Sequence, residues 1–176
     1  DEVITTPNSF IATAAAIVHL GAKPVFIDVN EDQNINVDLI EAAITENTKA
    51  ILPVHLTGRM SDMDSIMKIS KKYNLTVIED SAQAIGSKFR SKLSGSYGKV
   101  GCFSTHPLKN LNACGDGGFL TTNDPIIYEK AGNLRSHGLV SREQSNQFGY
   151  VSRMDSIQAA ILNYRLSKLD HVISER

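Results

Sequence analysis

Cysteine is scarce in this 176-residue chain: only Cys102 and Cys114 occur, too few for the disulfide scaffold of a small secreted domain and in keeping with a reducing compartment. An excess of charge of one sign is missing too. Eighteen Lys and Arg stand against nineteen Asp and Glu for a net charge of -1, and no long basic run exists to follow a phosphate backbone, so nucleic acid is not an expected partner. The most apolar stretch, Ala12 to Ala22, is broken by Thr13, His19 and Gly21 and falls short of the roughly 20 residues a bilayer-spanning helix needs. No membrane contact is expected. The start of the chain carries no basic-then-apolar signal pattern, and a cytoplasmic location is the expectation. There is no Gly-x-Ser-x-Gly elbow for a hydrolase triad. His19, His55, His106, His137 and His171 show no metal-ligand spacing among themselves or with the two cysteines, so no metal site is expected. Gly115-Asp116-Gly117-Gly118 lacks the spacing of a dinucleotide or Walker loop and reads as a turn into a strand.

What is present is an ordinary globular composition, 41% hydrophobic and 21% charged, in a length that suits one domain. No internal repeat or low-complexity tract interrupts it. Short apolar runs alternate with helical patterns, which predicts an α/β domain with a mainly parallel central sheet and helices on both faces. Strands are expected at Val3–Thr6, Pro24–Val29, Ala50–Leu56 and Leu75–Asp80, with helices at Phe10–Leu20, Val37–Ile44 and Ser61–Lys72 between them. After Asp80 the pattern shifts to shorter strands, Gly101–Thr105 and Gly118–Thr122, joined by loops rich in Gly and Ser. Asp155 to Leu169 has Ile157, Ile161, Tyr164 and Leu169 at helical spacing, with Asp155 and Gln158 as a capping box. Loops are expected at Glu31–Asn36, Arg90–Lys99 and His137–Gly149, the last long enough for mobility or a partner contact.

Two stretches carry the chemistry. Val77-Ile78-Glu79-Asp80-Ser81-Ala82-Gln83 is a strand ending in an acid, and Cys102-Phe103-Ser104-Thr105-His106-Pro107-Leu108-Lys109-Asn110 is a strand running into a loop with one lysine. Pyridoxal phosphate chemistry needs such a pair: a lysine to form a Schiff base with the cofactor aldehyde, and a carboxylate facing the ring nitrogen to keep it protonated. A free lysine titrates at about 10.4 and is a poor nucleophile at neutral pH, so Lys109 must be activated by its site; taken alone it reads as a solvated loop lysine, as most lysines are. Asp80 sits where ligands collect in open α/β sheets, at the carboxyl end of a strand, or serves as a cap or surface acid. Glu79 alternates to the other face and is not assigned to the ring nitrogen. Ser104 suits a phosphate or a local turn bond. Gln83 suits the ring oxygen or a turn cap, Phe10 a ring face or the core, and His106 the shaping of the site or a loop bond.

The chain resembles the DegT/DnrJ/EryC1/StrS family of pyridoxal phosphate-dependent sugar aminotransferases, of aspartate aminotransferase fold type I. The matching stretches run almost end to end. They include Asp1-Glu2-Val3-Ile4, Ser9-Phe10-Ile11-Ala12-Thr13, Gly21 to Val29, Pro53-Val54-His55-Leu56, Asp62-Met63-Asp64, Ile78 to Ala84, Cys102-Phe103-Ser104, Lys109-Asn110-Leu111, Gly115 to Gly118 and Ile157-Gln158-Ala159-Ala160. The resemblance implies Lys109 as the Schiff-base lysine and proton shuttle, Asp80 as the partner of the ring nitrogen, Gln83 on the ring oxygen, Ser104 on the phosphate and Phe10 stacked on the ring. It implies a homodimer that moves an amino group from an amino acid donor, usually glutamate, to a keto group of a nucleotide-linked sugar, in cell-envelope or antibiotic sugar synthesis.

Sugar dehydratases of the family carry His where this chain has Lys109, which favours transamination. A non-catalytic regulatory relative and a cofactor-free α/β binding domain are the competing readings. Two departures stand out. Many relatives have, at the position of Val151, an Asn that reaches the phosphate in the partner subunit, a bond Val cannot make. Family members also have a segment before Asp1 and a C-terminal small domain, so residues 1–176 are expected to be the central part of the cofactor-binding large domain.

Overall fold

Val, Ile and Thr recur in the short runs that become strands, most densely in Glu2–Thr5 and Thr76–Asp80, as β-propensity favours. The computed structural model describes residues 1–175. Its six-stranded sheet is built from β1 (Glu2–Thr5), β2 (Lys23–Phe26), β3 (Thr48–Ile51), β4 (Thr76–Asp80), β7 (Val100–Ser104) and β8 (Gly118–Thr121), in the order β2-β1-β3-β4-β7-β8. All neighbours run parallel except β8, which is antiparallel to β7. The fold class read from the sequence therefore holds, a mostly parallel α/β sheet.

Strand β1 lies between β2 and β3, so the chain winds one way through helix α1 (Ile11–His19) and the other way from β3 through α3 (Met63–Tyr73). A reversal of this kind opens a crevice at the carboxyl ends of the strands, the place where such sheets bind ligands.

Helix α3 shows how the sequence sets an element. Asp62 caps it by accepting from Ser65 N at 3.2 Å, Met63, Ile66 and Ile69 recur on one buried face, and Asn74 ends it at a left-handed φ of 53°. Such a position tolerates Asn better than β-branched residues. That face meets Ile4, Ile51 and Val77 of the sheet in the main core, where each fully buried aliphatic side chain contributes about 1.5–3 kcal/mol. A second, smaller cluster joins Leu111 and Ala113 to Leu162 of helix α5 (Ser156–Leu166).

Several expectations needed correction. The helix expected at Val37–Ile44 is a 3-10 turn, Val37–Leu39, followed by the one-turn helix α2 (Ile40–Ala43). The strand expected to reach Leu56 stops at Ile51; Val54 makes an isolated bridge to Asp80, and Leu56–Gly58 forms a 3-10 turn. The strand expected to Val29 stops at Phe26. The loop assigned to Arg90–Lys99 begins inside a hairpin of β5 (Lys88–Phe89) and β6 (Lys92–Leu93). Helix α4 (Pro125–Leu134) was missed although its signals were present: Asp124 accepts from the N–H groups of Ile126 and Ile127, with Pro125 at the first helical position. The last helix divides into α5 and α6 (Leu169–Ser174), and Asp155 makes no capping bond among the described residues. Gln158 is instead engaged by Cys114, so the expected capping box does not form. No helix among the described residues is long and apolar enough to cross a membrane.

Candidate active site

Strand β4 ends in two consecutive acids, and the period-two alternation of a strand turns them to opposite faces. Asp80 lines a cavity of about 270 Å³ with Ala12 and Thr13 of α1, Leu52, Cys102, Ser104 and Gly117. Both of its carboxylate oxygens are held: Thr13 Oγ1 donates to Oδ2 at 2.7 Å and Ala82 N donates to Oδ1 at 3.1 Å. Its main chain is fixed as well, since Asp80 N donates to Pro53 O at 2.9 Å and Asp80 O accepts from His55 N at 3.1 Å. Ser104 Oγ accepts from His106 N at 3.2 Å. At Gly117 a Cβ would stand 2.6 Å from Thr105 Oγ1, a hydroxyl that is buried without a partner among the described residues. Cys102 opens onto the same cavity; the protein packed behind its sulfur, with the charges of Asp80 and Glu79, pushes the thiol up to about 11. At that value the thiol stays protonated at physiological pH, the weakly nucleophilic form.

A second cavity, of about 440 Å³, is lined by Thr57, Gln83, Gly86, Lys109, Asn110 and Ile173, and Ala82 lines both cavities. The structure therefore groups Asp80 with Ser104 on one side of the turn after β4 and Gln83 with Lys109 on the other. Phe10, 71% exposed at the start of α1, lines neither cavity. Val151, 66% exposed, makes an isolated bridge to Ser136 and also lies outside them.

The lysine loop is anchored from helix α5. Lys109 N donates to His106 O at 2.9 Å, and Arg165 Nη1 donates to Asn112 O at 2.7 Å and to Asn112 Oδ1 at 2.5 Å. Gln158 accepts from Cys114 N at 2.8 Å and donates to Cys114 O at 3.3 Å. Leu111 and Ala113 pack on Leu162 beneath these bonds. Gln83 is oriented from the opposite side: its Oε1 accepts from Thr57 N at 2.9 Å, which leaves the amide N–H₂ as the end that can donate to a ligand. Thr57 holds a φ of 52°, a left-handed conformation that costs a non-glycine residue about 1 kcal/mol. Buried Asn34 supports this turn, accepting from Leu56 N at 3.2 Å and donating to Arg59 O at 3.1 Å.

On the other face of β4, Glu79 is fully buried beside fully buried His55. His55 Nδ1 accepts from Ser61 N at 3.3 Å, so Nε2 carries the proton that it donates to Glu79 Oε2 at 3.0 Å. Glu79 also accepts from Gly95 N at 2.8 Å, Tyr97 N at 2.7 Å and Gly98 N at 2.6 Å. Burial opposes its ionisation, but the bonds from His55, Gly98 and Gly95 together outweigh that cost and hold the carboxyl below its ordinary value.

Sequence reasoning missed the roles of Thr13, Thr57, Asn34, Arg165 and the Glu79–His55 pair, and assigned Gln158 to a capping box instead of to Cys114. The pair left a signal, since His55 and Glu79 are lone polar residues inside apolar runs, where a buried polar group must find a partner. The actual pairings of Arg165 and Gln158 left none, because the partners lie more than forty residues away. The donor set fits pyridoxal phosphate: a braced carboxylate for a ring nitrogen, an amide N–H₂ for a ring oxygen, a hydroxyl for a phosphate and an amine for a carbonyl carbon. Among the described residues no group of three or more His, Cys, Asp or Glu side chains could hold a metal ion.

The model of the DegT/DnrJ/EryC1/StrS aminotransferase family matches residues 1–176. Over its whole length the chain is 48% identical to a pleiotropic regulatory protein of Geobacillus stearothermophilus, of which it covers 48%. It is also 48% identical, over 92% of its length, to the UDP-N-acetyl-3-dehydro-alpha-D-glucosamine 3-aminotransferase of Acidithiobacillus ferrooxidans, covering 44% of that protein. The crystal structure of S. venezuelae DesV in complex with a ketimine intermediate is similar with a TM-score of 0.94 at 40% identity, over 97% of this chain and 46% of that one. The chain spans about half the length of the curated relatives it matches.

Proposed function

The chain belongs to the DegT/DnrJ/EryC1/StrS aminotransferase family, and from that premise we propose that it builds a pyridoxal phosphate site at which an amino group passes from an amino acid, glutamate first, to a keto group of a nucleotide-linked sugar. The observation that carries this reading is Asp80, held at both oxygens in a cavity beside Ser104 and one turn away from Gln83 and Lys109. When bound, pyridoxal phosphate supplies an aldehyde carbon for amine exchange and a ring that accepts an electron pair.

The residues divide the work. Asp80 presents its charge to the ring nitrogen and keeps the proton there. Gln83, turned by Thr57, donates its amide N–H to the ring oxygen. The Ser104 hydroxyl donates to a phosphate oxygen, and Phe10, exposed two residues before Ala12 of the cavity wall, is the aromatic that would cover a ring face. Lys109 is the amine that would hold the cofactor's carbonyl carbon, and its Nζ would take a proton from the substrate carbon and return it. A cytoplasmic homodimer is part of this proposal, and the exposed side chains of Phe148, Tyr150 and Val151 support an interface of that kind. The name of the A. ferrooxidans relative, an aminotransferase of a UDP-linked sugar, supports the acceptor class.

The name of the Geobacillus relative favours a second reading, a regulatory protein that keeps the fold. Lys109 speaks against it, because a binder needs no amine that exchanges with substrate. An absorbance spectrum of the complete protein with pyridoxal phosphate, before and after glutamate, decides between them. The proposal expects a visible band in wild type that glutamate removes, and no such band in Lys109→Ala. A wild-type protein without the band would overturn the enzyme reading; a band that glutamate leaves intact would favour the regulatory one.

A further inference from the structure

Thr13 is only 6% exposed and stands in α1, yet its hydroxyl is spent on a residue 67 positions away, donating to Asp80 Oδ2 at 2.7 Å. Behind it, Ser9 Oγ lies 2.7 Å from Thr13 Oγ1. The direction of this relay is determined by chemistry. An ionised carboxylate only accepts, so the single Thr13 proton goes to Asp80 and the Ser9 proton goes to Thr13. Hydrogen bonds in such a series strengthen one another away from bulk water. The local structure of α1 points the same way. Phe10 occupies its N-cap position with no side-chain capping bond among the described residues, and the hydroxyl next to it, Ser9, turns to Thr13 instead of to the free N–H groups of the first turn. With Ala82 N on Oδ1, each oxygen of Asp80 receives one donor from the protein, which sets the plane of the carboxylate and leaves each oxygen a lone pair for a ligand.

We propose that Thr13, backed by Ser9, is a positioning residue that aims the Asp80 carboxylate at the ring nitrogen of the bound cofactor. The inference rests on the pyridoxal phosphate reading above. If Thr13 acts through Asp80, its effect must depend on a ligand nitrogen for Asp80 to meet. If it only ties α1 to β4, its effect will be the same for any ligand that fills the cavity.

The test is the equilibrium dissociation constant, read by absorbance in the complete protein, for pyridoxal phosphate and for its 1-deaza analogue, in which carbon replaces the ring nitrogen. The variants are Thr13→Val, which keeps the branched shape, Thr13→Ser, which restores the hydroxyl, and Ser9→Ala. Thr13→Val is expected to weaken pyridoxal phosphate about tenfold, the loss of one bond to a charged group, and to change the analogue by less than about twofold. Thr13→Ser is expected to recover wild-type affinity within about twofold, and Ser9→Ala to lose about threefold, again only for the ligand with the nitrogen. An equal loss for both ligands, or no loss for pyridoxal phosphate, would overturn the inference. Should Thr13→Val not fold, Ser9→Ala at its half-buried position carries the same comparison: a loss confined to the ligand with the nitrogen supports the inference, and an equal loss for both overturns it. A wild-type protein that binds neither ligand sinks the cofactor reading itself, whereas a wild type that binds both while Thr13→Val loses them equally sinks only the role of Thr13.

Discussion

Glu79 and Asp80 are consecutive residues of one strand with the same charge, and they live in opposite surroundings. Glu79 is fully buried and accepts four hydrogen bonds, from His55 and three backbone N–H groups. Its carboxylate makes only internal bonds, fastening the Gly95–Gly98 turn and the His55 segment to β4, although Glu79 also contributes to the wall of the Asp80 cavity. Asp80 accepts two bonds and keeps the rest of its acceptor capacity toward a cavity. A saturated buried carboxylate can only hold structure, while an ordered but unsaturated one can meet a ligand. The core face of β4 is therefore expected to govern stability, and the cavity face to govern chemistry.

The sharpest way to break that division is on the cavity side. Lys109→Ala is expected to lower amine exchange by about 10³-fold or more, because nucleophile and proton shuttle go together, with a melting temperature near that of wild type, since the side chain lies in a half-buried loop. Steady-state assay and thermal melting on the same sample check it. On the core side, Glu79→Ala strips His55 and three N–H groups of their acceptor and is expected to cost about 3–5 kcal/mol in denaturant unfolding. A fully stable Glu79→Ala protein would undo the contrast.

Acid gives a weaker test of the same face. The folded-state carboxyl of Glu79 is held below its ordinary value of 4.5, so its contribution to stability is complete above that pH and disappears as the pH falls through the folded value. Unfolding followed from pH 6 down to about pH 3 should show a stability decline that is shallower in Glu79→Gln, which has no proton to gain at that site. Smaller again is the tie between α5 and the lysine loop. Arg165→Ala removes the donor to Asn112 and is expected to cost about 1–2 kcal/mol of stability. Its larger signature should be faster hydrogen exchange confined to residues 106–114, which mass spectrometry resolves.

The two faces also differ in how much of them could be read before the fold was known. Alternation along Val77–Asp80 was enough to send the acids to opposite sides, and the strand-end position of Asp80 marked a ligand crevice. Both depend only on neighbours in the chain. The partners that give each acid its character come from elsewhere: Thr13 from α1, His55 from the segment after β3, Gly95 to Gly98 from beyond the hairpin. Contacts of long sequence separation leave no local period, and so nothing in the sequence ties Thr13 to Asp80. Gln158 illustrates the opposite error. Its spacing from Asp155 is that of a capping box, but the amide reaches Cys114 across the second cluster, where it closes a loop that local propensity does not describe.

The most direct measurement is a crossed comparison of Asp80→Asn and Glu79→Gln, each followed by thermal melting and by the rate at which glutamate removes the visible cofactor band. Asp80→Asn is predicted to melt near wild type and to slow the band change by about 10²-fold. Glu79→Gln is predicted to melt several degrees lower and, at a temperature where it is folded, to leave the rate within about threefold of wild type. Two variants that lose stability and rate in the same proportion would contradict the division of labour between the two faces of β4.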